Sequence, residues 1–92
     1  MKQLNIEYMM NMTKEYLEGK IESFAYNLDF SYELEKRFKK MRREDEDYCD
    51  LIYGFLYEEG VARYNELSEI AFKKLVHKQY NYIKKIAREG FC

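Results

Sequence analysis

The side chains able to do covalent chemistry in this sequence are few and poorly grouped. There is one histidine, His77, and two cysteines, Cys49 and Cys92. Nucleophilic catalysis needs a thiol or hydroxyl within hydrogen-bond reach of a base that a third group orients. His77 falls among lysines, and no Ser/His/Asp or Cys/His arrangement is legible around it. A metal site needs about three or four N, S or O ligands at ordered spacing, which one histidine and two distant cysteines do not supply. Glu58 and Glu59 are adjacent carboxylates near a helix end, and di-metal bundles instead use inward Glu-x-x-His motifs, which the chain lacks. The expectation is a protein that is not an enzyme and takes no metal or cofactor.

Recognition chemistry is far better represented. Residues 44–69 hold nine acids and a single base, Arg63, giving that segment a charge of −8. Residues 24–43 carry +3 and residues 70–92 carry +5, so the formal net charge of −1 conceals a polarised chain. Such fields bear on partner choice and association rate more than on fold. Ten tyrosines and six phenylalanines, with no tryptophan, exceed what a thin core needs. Tyrosine offers large contact area at low rotamer cost, which suits interfaces.

The two signals coincide on one predicted helix, 44–58. Tyr48, Leu51, Ile52, Phe55 and Leu56 form its core stripe at i, i+3, i+4, i+7 and i+8. Glu46, Asp50, Tyr53 and Tyr57 fall opposite, at i, i+4, i+7 and i+11, with Gly54 offering close backbone approach. The four acids at 44–47 sit in the first turn, where the helix dipole favours negative charge. The expected docking face is Glu46, Asp47, Asp50, Tyr53, Tyr57, Glu58 and Glu59. The competing reading is that the connector 61–66 covers the tyrosines and the acids are only solvated.

The remaining elements follow from the 3.6-residue periodicity. Residues 3–18 read as a first helix with Ile6, Met9, Met10, Thr13, Tyr16 and Leu17 on one side. Gly19 is placed just past its end, where a left-handed residue is favoured. A second helix from Glu22 or Ser23 to about Arg43 collects Phe24, Leu28, Phe30, Leu34, Phe38 and Met41 on its apolar side. Asp29 and Glu33 are spaced to pair with Lys36 and Lys40, and residues 28–31 fit either a continuous helix or a kink. A last helix, about 67–88, is capped by Asn65 or Ser68 and stopped at Gly90. It points Phe72, Leu75, Val76, Gln79, Ile83, Ile86 and Ala87 inward.

Ninety-two residues without proline, carrying four such stripes, predict one all-α domain over 1–92, an antiparallel four-helix bundle. Such a chain buries only about 60–65% of its unfolded surface, leaving little room for an enclosed active site. No apolar run approaches the roughly 20 residues that span a bilayer, and no secretory signal opens the sequence. The expectation is a reduced, soluble, cytoplasmic protein.

A second face competes for function. Lys73, Lys74, Lys78, Lys84, Lys85 and Arg88 line the outside of the last helix, with His77 and Asn81. They are placed to neutralise phosphates, with Tyr80 or Tyr82 to stack on bases. A nucleic-acid-binding or regulatory module is therefore the alternative reading. Its weakness is the acidic total, since nucleic-acid binders are usually strongly basic. A homo-oligomeric bundle, acidic face to basic face, is a third.

The stretch Tyr16-Leu17-Glu18-Gly19-Lys20-Ile21-Glu22-Ser23-Phe24 resembles the helix-turn-helix opening of small bacterial immunity proteins related to the colicin D immunity protein. That opening reads as an aromatic-Leu, a short turn, Lys-Ile, a polar pair and an aromatic. Residues 28–41 are more similar to the wider group of contact-dependent growth inhibition immunity proteins. The resemblance implies a helical protein that binds a cognate nuclease toxin, often a tRNase, as a heterodimer. Its carboxylates would occupy the basic surface where RNA phosphates lie. Only the acidic segment carries over, so it implies the same Glu46, Asp50, Tyr53, Tyr57, Glu58 and Glu59.

Overall fold

A computed structural model describes residues 3–89, with the side chains of Arg88 and Glu89 excluded. The predicted stop at Gly90 and the side chains of Arg88 and Cys92 lie outside the described residues. The fold is all-α, and no strand occurs among the described residues. Four helices follow in order: α1, Leu4–Leu17; α2, Ser23–Glu44; α3, Glu46–Leu51; and α4, Glu69–Glu89. Leu51 runs without a break into a π-helical segment, Ile52–Glu58, and a 3₁₀ segment, Val61–Glu66, leads towards α4.

Of the predicted α1 stripe, Ile6, Met9, Met10, Thr13 and Tyr16 are buried and Leu17 is half-buried against the core, with Met12 also buried. Gly19 has φ +84°. Lys20 N donates to Glu15 O at 2.9 Å and Gly19 N to Tyr16 O at 3.0 Å, the paired bonds of a Schellman end. That turn returns the chain along α1 as α2, and these two helices share the most extensive packing.

Helix α2 is continuous through residues 28–31, so the kink is not used; Ser31 Oγ instead donates to Asn27 O at 2.9 Å. Its inward face corrects the predicted one. Ser23, Tyr26, Phe30, Leu34 and Met41 are buried, whereas Phe24 and Leu28 are 61% and 52% exposed. Hydrogen bonding accounts for this phase. The hydroxyls of Tyr26 and Thr13 pair at 2.8 Å, and those of Tyr16 and Ser23 at 2.7 Å. The Tyr16 and Tyr26 rings stack between them, 4.4 Å apart and nearly parallel. Each buried hydroxyl thus has a partner across the α1–α2 seam, as buried polar groups require. Desolvation raises the phenol pKa of both tyrosines. The predicted Asp29/Glu33 pairing with Lys36 and Lys40 is replaced by Glu33 with Arg37, at 2.8 Å.

Ser68 caps α4, its Oγ accepting from Ala71 N at 3.2 Å. Phe72, Val76 and Ile83 are buried as predicted, and Tyr80 joins them rather than facing solvent. Tyr16, Tyr26, Phe30 and Phe72 form one aromatic cluster at the centre, with Tyr64 of the 3₁₀ segment edge-on to Phe72. The radius of gyration, 12.4 Å, is what a single folded chain of this length gives, about 12 Å. No helix among the described residues is long and apolar enough to cross a membrane.

Candidate functional site

Taken residue by residue, the acidic block divides into internal and outward charges. Glu44 ends α2 and caps α1 instead of opening α3. Its carboxylate accepts from Asn5 N at 2.8 and 3.1 Å, Ile6 N at 2.9 Å and Asn5 Nδ2 at 2.7 Å. Burial opposes its ionisation, but these donors and the Arg37 guanidinium prevail, holding the carboxyl below its ordinary range. Asp45 caps α3, Oδ1 accepting from Tyr48 N at 3.0 Å, and its Oδ2 accepts from Gln3 Nε2 at 3.0 Å. Only Glu46 and Asp47 therefore occupy the first turn of α3.

Glu46 and Asp50 do share an outward face, and they share it with a cation. Arg42 of α2 reaches Glu46 at 2.7 Å and Asp50 at 2.8 Å. This exposed triad carries one net negative charge in place of two. The side chains of Asp47, Glu58 and Glu59 are exposed and make no hydrogen bond or ion pair among the described residues.

Tyr53 and Tyr57 line a groove between the π-helical segment and α2. Their rings are 5.5 Å apart, and Tyr53 stands edge-on to Phe38 of α2 at 5.6 Å. The groove encloses about 580 Å³, and its α2 wall brings Ser31, Tyr32, Glu35, Phe38 and Lys39 to it. Helix α2, not the 61–66 connector, thus flanks the tyrosines. Tyr53 remains 39% exposed and Tyr32 64%. The core stripe of α3 and the π-helical segment differs in part from the predicted one. Cys49, Ile52 and Leu56 are buried, while Tyr48, Leu51 and Phe55 are only half-buried. Outside its own helical turn, Gly54 has no atom within 4 Å of the position a Cβ would take, so no packing within the fold requires a glycine there.

The stripe Phe24, Leu28, Tyr32 continues this groove along α2 at i, i+4 and i+8. Phe38 and Arg42 belong to the same outward side, with Arg42 5.8 Å from the Phe38 ring. One surface therefore joins an apolar end, an aromatic middle and a charged end. Of the seven predicted site residues, only Tyr53 and Tyr57 line the groove; Glu46 and Asp50 meet at Arg42, one turn along α2 from the groove residue Phe38, and Asp47, Glu58 and Glu59 do neither. Sequence reasoning missed the whole α2 wall. The available signal was a second 3–4 spacing in α2, Phe24-Leu28-Ser31-Glu35-Phe38-Arg42, out of phase with the buried one.

A wider cleft, about 610 Å³, lies where α2 begins beside the 3₁₀ segment, lined by Glu22, Ser23, Phe24, Tyr64, Asn65, Leu67 and Glu69. Its Ser23 hydroxyl already pairs with Tyr16 and donates to Glu69 at 3.4 Å. Cys49 is buried, and its thiol is pushed up to about 11, chiefly by desolvation. No group of three His, Cys, Asp or Glu among the described residues is placed to hold a metal ion. His77 is exposed on α4. No protein family matches the chain, and neither a curated protein nor a solved structure is detectably similar to it.

Proposed function

We propose that this protein is a non-catalytic, stoichiometric inhibitor that binds a basic nuclease domain, acting as an immunity protein in the cytoplasm. The observation carrying the reading is the exposed aromatic face between α2 and the π-helical segment. Phe24, Leu28 and Tyr32 leave 52–64% of their surface in water, where they contribute little to folding. Burying such side chains against a partner is worth roughly 1.5–3 kcal/mol each when complete. Tyrosines grouped beside a charged rim are the usual anchors of a protein interface.

The negative field selects the kind of partner. Residues 44–69 remain strongly acidic after Arg63 is counted, and long-range attraction speeds encounter with a cationic surface. A nuclease presents such a surface because it must hold RNA or DNA phosphates. Carboxylates set over that surface block substrate without any chemistry. The resemblance of residues 16–24 to immunity proteins points to the same class of partner.

The test is rescue and complex formation with any nuclease domain that a neighbouring gene proves to encode. Co-expression should restore growth, and the purified pair should elute as a 1:1 complex. Leu28→Lys combined with Tyr32→Ala and Tyr53→Ala should fold normally and weaken binding by several kcal/mol. A domain that kills regardless of co-expression, with no complex, refutes the inhibitor reading. Wild-type affinity in the triple variant refutes the face alone.

A further inference from the structure

We infer that the outer side of α4 is a binding site for single-stranded nucleic acid, separate from the α2–α3 face. Residues 70–88 contain six bases and no acid, so the acidic total does not describe this side. Lys73 and Lys84 sit over the rings of Tyr16 and Tyr80, at 5.5 and 5.3 Å. Lys74, Lys78 and Lys85 make no ion pair or ring contact among the described residues. These three residues share one azimuth on the helix at i, i+4 and i+11. They are set about 6 and 10 Å apart along the axis, an interval on the scale of successive phosphates in an extended strand.

Beside them is a platform suited to bases. Tyr82 is 46% exposed and is held edge-on by Phe55 of the π-helical segment at 4.9 Å. The two rings, with Lys78, Lys85, Gln79 and Asn81, line a cleft of about 460 Å³. An aromatic face between cations is the arrangement that binds single strands with little sequence preference. The amides of Gln79 and Asn81 offer donors and acceptors to base edges. An acidic peptide would engage the lysines but gain nothing specific from Tyr82. A duplex would leave its bases stacked out of reach of the ring. The two faces meet only at the π-helical segment, which sends Tyr53 and Tyr57 to one groove and Phe55 to the other cleft.

Fluorescence anisotropy with a labelled 12-nucleotide oligouridine RNA tests this, with circular dichroism as a fold control. Binding should be measurable at 50 mM salt and weaken with a log–log slope of about −2, from roughly 0.7 per neutralised phosphate over three lysines. Lys78→Glu with Lys85→Glu should lower affinity at least about tenfold and flatten the slope. Tyr82→Ala should lose about fivefold or more while keeping the slope, and Tyr82→Phe should retain binding. Tyr32→Ala with Tyr53→Ala should bind as wild type. Absence of binding at 50 mM salt overturns the proposal. So does equal binding of polyglutamate, or of phosphatidylserine vesicles, with Tyr82→Ala unaffected; those results would assign the lysines to an acidic protein or a lipid surface.

Discussion

Glu44 provides the sharpest test of whether the acidic block is scaffold or docking surface. Helix α1 has no side-chain cap of its own, since Gln3 at its N-cap makes no such bond. The Glu44 carboxylate substitutes for it, taking the Asn5 and Ile6 amides at 2.8 and 2.9 Å and the Asn5 side chain at 2.7 Å. Losing a cap costs about 1 kcal/mol, and losing a negative charge at a helix start adds about 0.3–1 kcal/mol. Glu44→Ala should therefore cost about 2 kcal/mol, or roughly 8–16 °C in Tm for a domain of this size. Glu44→Gln keeps one acceptor and should cost about half as much. Urea unfolding followed by circular dichroism should show both with unchanged m-values. Because the folded pKa is depressed, the charge stabilises fully above the unfolded value, about 4.3. That contribution disappears as pH falls through the lowered folded value. The gap between wild type and Glu44→Gln should thus be constant from pH 7 to about 5 and close below it. Arg42→Ala, which breaks only an exposed triad, should stay within about 0.5 kcal/mol of wild type. A Glu44→Ala protein as stable as Arg42→Ala, or a gap that does not narrow at all as pH falls below about 4.3, would refute the capping argument.

Two glycines in the π-helical region should respond oppositely to alanine. A Cβ on Gly60 would lie 2.5 Å from the Leu56 carbonyl oxygen, so Gly60→Ala must move backbone and should cost about 1–3 kcal/mol in urea titration. Gly54 has open space around it, and Gly54→Ala should stabilise by about 0.4–1 kcal/mol through the unfolded state; the reverse order would contradict the described backbone. In a Cys92→Ser background, the Cys49 thiol, buried and pushed up to about 11, should resist a thiol-specific chromogenic reagent at pH 8. It should react only as the protein unfolds, and a native rate typical of an exposed thiol would disprove its burial.

Local signals in the sequence translated well into structure. The α1 stripe, the left-handed Gly19 and the Ser68 cap are each dictated by residues within one or two helical turns. What was not legible depends on partners far along the chain. Glu44 and Asp45 look like cap charges for the helix that follows, yet Asn5, Ile6 and Gln3, about 40 residues earlier, engage them. Glu46 and Asp50 read as a free acidic face because Arg42 belongs to a different helix. In the π-helical segment the projected sides largely hold, with Ile52 and Leu56 buried and Tyr53 and Tyr57 on the groove, while the buried Cys49 of α3 was not part of the projected stripe.

The phase of α2 links folding to recognition. Its sequence holds two seams of similar apolar content, and burial alone does not choose between them. The chosen seam is the one whose hydroxyls and charges are satisfied by α1: Ser23 with Tyr16, Tyr26 with Thr13, and Arg37 donating to Asn5 Oδ1 at 2.7 Å while stacking 3.8 Å from the Tyr8 ring. Burying Phe24 and Leu28 instead would turn those polar groups out of register and leave the Thr13 hydroxyl without its Tyr26 partner, at a cost of about 1–3 kcal/mol for each orphaned buried group. Polar matching therefore forces the second apolar seam outward. Lysine or glutamate at positions 24, 28 and 32 would cost folding little, because more than half of each residue's surface faces water. Large apolar side chains there lower solubility and return little to the core, which is the cost that docking on the proposed partner would offset.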